Sequence, residues 1–244
     1  MSGHSKWNNI KRKKEKTDSQ KAKVFTKLGR EIAMAVKSAG ADPTINSRLR
    51  DSIAKAKAAN VPNDNIDRII KKAAGDGDAA NYEEITYEGY GPSGIAVIVE
   101  TLTDNRNRTA GDLRHYFDKF GGNLGQSGSV MFQFEHQGVI AIEAENVPDE
   151  DKLMDDALEA GALDFLSEDG LFEVITEPNA LGAVREALEG KGYRFLSAEV
   201  EYTPALTSPL SEEDAAKMSR LLDALEEDDD VQNVWHNWET DEDE

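Results

Sequence analysis

Apolar residues recur along this chain first with the period of a helix and then with that of strands. At 100° per residue, Phe25, Leu28, Ile32 and Val36 fall within about 40° of one direction. Lys23, Lys27, Arg30 and Lys37 gather on the opposite side. This predicts an amphipathic helix from Asp18 or Ser19 to a glycine stop at Gly40. The same period predicts helices over Asn46–Asn60 (Leu49, Ile53 and Ala56 inward) and Asn63–Ala74 (Ile66, Ile69, Ile70 and Ala73 inward). Three short amphipathic helices bury their stripes only against one another, so residues 18–75 read as a small helical domain. Residues 1–16 show no such period and end in a lysine cluster, which reads as a basic arm. Residues 76–81 read as a linker by composition.

Beyond the linker the pattern alternates. Strands are predicted at Glu83–Tyr90, Gly94–Leu102, Val130–Glu135, Val139–Glu143, Leu163–Ser167, Leu171–Thr176, Arg194–Tyr202 and Val231–Trp238. Helices are predicted from Thr109 to Phe120, with Thr109 and Asp112 as a capping pair, and at Asp149–Ala160, Pro178–Glu189 and Ser211–Glu226. The middle of this run has the order β-α-β-β-α-β of the ferredoxin-like unit. The segment before it lacks a closing helix and strand, which the last two elements supply. The economical reading is α+β: a three-helix domain (1–75), a linker (76–81), one α+β domain from 82–136 and 204–239, a second inserted at 137–203, and an acidic tail (240–244). Sequential pairing in one sheet is the alternative.

Charge changes the picture more than any motif. Residues 1–75 carry 18 Lys and Arg against 7 Asp and Glu, a net of +11, whereas residues 76–244 carry 10 against 41, a net of −31. The overall charge of −20 hides this split. A basic module on an acidic body fits binding to a polyanion, with a limit on non-specific adhesion. The absence of cysteine excludes disulfides, thiolate metal sites and cysteine nucleophiles. His4, His115, His136 and His236 contain no i,i+4 pair suited to a helical metal site, and no serine sits in a Gly-x-Ser-x-Gly elbow. The glycine-rich stretch Gly121–Ser129 follows a helix and precedes a strand, the reverse of a phosphate-binding loop, and reads as a helix stop with a tight turn. No catalytic site, cofactor, metal or small-molecule substrate is expected. No apolar run is long enough for a membrane span or a secretory signal, and the expected location is the cytoplasm.

The candidate contacts are Lys6, Lys11, Arg12, Lys13 and Lys14 in the arm, and Lys23, Lys27 and Arg30 on the first helix. Each would grip phosphate and fix position rather than read sequence. Arg106, Arg108 and Arg114 form a candidate second patch, with local capping and carboxylate pairing as the competing reading. Trp7 could stack on an unpaired base or anchor the arm onto the helical domain. The acidic runs Glu226–Asp230 and Thr240–Glu244 read as solvated surface, or as competitors with nucleic acid for the basic arm.

The opening Ser2-Gly3-His4-Ser5-Lys6-Trp7, the block Tyr87–Gly94, the run Thr103–Thr109 and the stretch Gly121–Gly125 with Gly128-Ser129-Val130 together resemble the YebC/PmpR family. The likeness spans essentially the whole chain. It implies three domains, one helical and two α+β with one inserted in the other, and no catalytic residues. It also implies a regulator of gene expression, either a DNA-binding transcriptional regulator or a ribosome-associated, RNA-binding translation factor that relieves stalled synthesis. DNA, RNA or the ribosome are therefore the expected partners. A protein-interaction adaptor is the alternative from a different class.

Overall fold

The computed structural model describes residues 18–75, 82–168 and 170–239. Three helices come first: α1 (Asp18–Ala39), α2 (Ser47–Ala58) and α3 (Asn63–Ala74). Gly40 ends α1 with φ of +90°, a left-handed conformation that suits glycine. Asn46 caps α2 by accepting from the Leu49 N–H at 3.0 Å, and its own amide donates to the carbonyls of Ala35 and Gly40. One buried asparagine thus closes the α1–α2 corner. Ile32, Ala35, Val36, Leu49, Ala56, Val61, Ile66 and Ala73 form the core between the helices.

Two four-stranded sheets follow. The first has the order β3-β1-β2-β8, from β1 (Glu83–Tyr90), β2 (Ala96–Thr103), β3 (Asn123–Leu124) and β8 (Val231–His236). The helices α4 (Arg106–Lys119) and α7 (Glu212–Glu227) pack on it, burying Val97, Val99, Leu113, Phe117, Leu221 and Leu225 together. The second sheet has the order β5-β6-β4-β7, from β4 (Phe134–Glu143), β5 (Asp164–Glu168), β6 (Leu171–Thr176) and β7 (Ser197–Pro204). Helices α5 (Glu150–Ala160) and α6 (Leu181–Gly190) cover one of its faces. All pairings within both sheets are antiparallel. The second sheet lies in sequence between β3 and β8, so one α+β unit is inserted in the other. Its order is that of a ferredoxin-like domain.

Three local expectations are corrected. The predicted strands Val130–Glu135 and Val139–Glu143 are one strand, β4, preceded by a 3-10 turn at Met131–Gln133. The polar run Glu135-His136-Gln137 does not break it. β7 pairs with β4 from Phe134 onward, whereas β6 joins only at Gly138. The chain therefore enters the second sheet along a two-stranded ribbon. Asn105, not Thr109, caps α4, accepting from the Arg108 N–H at 3.1 Å. Thr109 is fully buried inside the helix, where its hydroxyl serves another purpose. The stretch after α4 also contains a short strand, β3, which no alternation announced because it is only two residues long.

Candidate nucleic-acid interface

The apolar stripe of α1 packs on α2 and α3, and its cationic stripe meets the loop that follows α7. The last carbonyls of an α-helix lack partners within the helix and carry its negative dipole end. In α7 those groups are met from another domain. The Lys23 ammonium donates to the Glu227 carbonyl at 2.8 Å and that of Lys27 to the Glu226 carbonyl at 2.7 Å. Arg30 extends the contact, donating to the Asp229 carbonyl at 2.6 Å and to Asp230 Oδ1 at 2.7 Å. Its guanidinium also stands 5.3 Å from the centre of the Tyr82 ring.

Asp230 is the hub of this joint. Its side chain is 6% exposed. Besides Arg30 on Oδ1, its Oδ2 accepts from Arg108 Nη2 at 2.7 Å, Thr109 Oγ1 at 2.8 Å and Thr103 Oγ1 at 3.2 Å. Burial by itself would raise the pKa of such a carboxyl. The donors from Arg108, Thr109 and Arg30 outweigh it and hold the pKa below its ordinary value. Arg108 also pairs with Asp104 at 2.9 Å. The run Thr103–Thr109 is thus a clamp around Asp230. A cleft of about 410 Å³ lies beside it, with Lys23, Arg30, Arg108, Asp112 and Asp228 among its walls. No group of residues that could hold a metal ion occurs among the described residues.

A second carboxylate organises the glycine-rich stretch. Glu88 on β1 is 3% exposed. Its two oxygens accept from the backbone N–H groups of Gly128 (2.6 Å), Val130 (2.8 Å) and Met131 (2.8 Å). Burial opposes ionisation here too, and the three N–H donors prevail, so its pKa is lowered. Two of the glycines are required by close approach. A Cβ on Gly122 would lie 2.2 Å from the Tyr90 carbonyl oxygen, and one on Gly125 would lie 2.5 Å from Ser129 Oγ.

The twelve sequence candidates divide accordingly. Lys6, Trp7, Lys11, Arg12, Lys13 and Lys14 lie outside the described residues. Lys23, Lys27 and Arg30, the first-helix candidates for phosphate contact, donate to main-chain carbonyls and to Asp230 in the loop after α7. An amphipathic period separates two faces of a helix without saying what covers the second. Arg108 is likewise engaged, as the competing reading of that patch anticipated. Arg106 and Arg114 are exposed, with no ion pair among the described residues. Asp230 and Glu88 were not singled out from the sequence. The signals present were the isolated Thr103–Thr109 polar block and an acid flanked by Tyr87, Gly89 and Tyr90 at the end of β1.

An all-antiparallel pair of α+β units, one inserted in the other and joined by ion pairs to a three-helix domain, defines a three-domain α+β class. Comparison with known proteins makes the assignment specific. The family model described as the TACO1/YebC N-terminal domain matches residues 5–76, and that described as the TACO1/YebC second and third domain matches residues 82–238. The chain belongs to the TACO1/YebC family. A relative from Caldicellulosiruptor saccharolyticus is 60% identical over 242 residues, covering 99% of this chain and 100% of its own, and bears the name "Probable transcriptional regulatory protein". One from Acetivibrio thermocellus, of the same name, is 60% identical over 239 residues, covering 98% of this chain and 99% of its own. The crystal structure of a conserved hypothetical protein from Aquifex aeolicus is similar with a TM-score of 0.83 and 45% identity, covering 93% of this chain and 94% of that one.

Proposed function

We propose that the protein is a non-enzymatic regulator of gene expression that acts by binding nucleic acid. The observation that carries this reading is the segregation of charge, with a net of +11 in residues 1–75 against −31 in the rest. The names of its relatives as probable transcriptional regulators support the same reading. Since Lys23, Lys27 and Arg30 serve the internal joint, the arm residues Lys6, Lys11, Arg12, Lys13 and Lys14 carry the phosphate contacts in this proposal, with Arg106 and Arg114 as exposed auxiliaries. Trp7 adds stacking where the target is unpaired.

Crosslinking with sequencing in cells identifies the polymer: promoter DNA supports a role in transcription, and ribosomal RNA one in translation. Replacing Lys11, Arg12, Lys13 and Lys14 by alanine is expected to lower the slope of log affinity against log salt by about 0.9 per contact on duplex DNA, or about 0.7 on a single strand. Regulation in cells that survives this replacement unchanged would instead favour a protein-interaction adaptor.

A further inference from the structure

The helical domain presents its three helices to the rest of the protein unequally. α1 is bound to the loop after α7. α2 pairs with both sheet domains: Arg48 with Glu84, Asp51 with Arg185 at 3.0 Å, and Lys55 with Glu199 at 3.6 Å. α3 makes no side-chain hydrogen bond or ion pair to either α+β domain among the described residues, and packs inward on α1 and α2. Ile66 and Ala73 are buried there, and Ile69 and Ile70 half-buried. At 100° per residue, Asp64, Arg68 and Lys71 lie within about 30° of the direction opposite these four, with Asp67 and Lys72 flanking them on either side, and all five are exposed.

α1 lies between this face and the acidic loop. Packed helices are about 10–12 Å across with axes 8–10 Å apart. The outer face of α3 therefore stands roughly 20 Å from residues 226–230, beyond two Debye lengths of about 8 Å each. The loop 226–230 engages Lys23, Lys27 and Arg30 of α1 and stands away from the cations of α3. Helix-dipole preference accounts for Asp64 in the first turn and for Lys71 and Lys72 in the last. It does not account for Arg68 at mid-helix. Asp64 and Asp67 stand four residues before Arg68 and Lys71, yet neither pair closes to ion-pair distance. α3 also follows α2 through a four-residue turn, 59–62, with Asn60 at φ of +60°. That connection is of the length a helix-turn-helix unit uses to aim its second helix outward.

We infer that the outer face of α3 is a phosphate-contacting surface, in which Arg68, Lys71 and Lys72 grip the sugar–phosphate backbone of a nucleic acid. This rests on the nucleic-acid reading above and adds a rigid contact to those of the arm.

The test compares the full-length protein with a variant carrying Arg68→Gln, Lys71→Gln and Lys72→Gln, and with an Arg194→Gln, Arg220→Gln control that lowers the net charge elsewhere. Probes are a two-turn duplex DNA and a hairpin RNA, each titrated across salt concentration. The α3 variant is expected to lose about 2.7 from the salt slope on duplex DNA, some 0.9 per contact, while the control keeps the wild-type slope. Asp64→Asn, which removes an anion from the same face, is expected to tighten binding. If the wild type binds and the α3 variant matches it in affinity and slope, the assignment of this face is wrong. If the wild type retains neither probe even at low salt, the functional reading fails and this inference falls with it.

Discussion

Replacing Asp230 by alanine is expected to loosen the joint between the helical domain and the first sheet domain and to destabilise the protein by about 3 kcal/mol, as when one partner of a buried ion pair is removed. The loss is large because one carboxylate serves four donors from three places in the chain: Arg30 on α1, Thr103 at the end of β2, and Arg108 and Thr109 on α4. Its removal leaves Arg30 with carbonyl acceptors only, Arg108 with Asp104 alone, and the fully buried Thr109 hydroxyl without its carboxylate acceptor. Asp230→Asn, which keeps shape and part of the hydrogen bonding, is expected to lose less. The chain has no cysteine, so the pair Ala39→Cys and Arg220→Cys takes two spectroscopic labels uniquely. The distance distribution between them is expected to be narrow in the parent and broad after Asp230→Ala. An unchanged distribution would show that the joint does not depend on this carboxylate.

The joint also predicts a pH dependence. The pKa of Asp230 is lower in the folded state than the ordinary 3.8. A lowered folded-state pKa contributes stability that is fully present above the ordinary value and is lost as pH falls through the folded one. The label distances should therefore hold at neutral pH and broaden only below about pH 4. The Asp230→Asn variant should show a smaller acid response.

Glu88→Ala is expected to cost about 3 kcal/mol or more, since it strands three backbone N–H groups that one carboxylate satisfies. In a chain of this size that corresponds to a fall of about 6–12 °C in melting temperature. Glu88→Gln keeps one acceptor and turns an NH2 group toward donors, so it should fall between the two. Hydrogen exchange of the amides of Gly128, Val130 and Met131 reads the effect locally. If exchange there stays slow in Glu88→Ala, the carboxylate is not what holds the turn.

Much of this architecture was legible because the signals were local. The period of Phe25, Leu28, Ile32 and Val36 located α1, Pro62 and Gly75 bracketed α3, and the order of helices and strands pointed to an inserted unit. The candidate interface was less legible because its determinants are distant in sequence. Lys23 and the Glu227 carbonyl are 204 positions apart. A backbone acceptor leaves no side-chain signature at all. Glu88 and Asp230 are two among 48 acids, distinguished only by burial that forms when the chain folds. Similarly, the fusion of β4 across Glu135-His136-Gln137 follows from pairing with Thr203, Tyr202 and Glu201 of β7, far onward in the sequence.

The insertion also sets an order of events at the ribosome. β8 pairs with β2 at the edge of the first sheet but is made only after the whole inserted unit. The nascent inserted unit can close while β2, buried at almost every position in the finished molecule, still has an open edge of the kind that invites wrong partners. Asp230 emerges immediately before β8. Until residues 226–230 emerge, the cations of α1 therefore wait without the acceptors that will eventually hold them, and the young chain is a more adhesive object than the mature one.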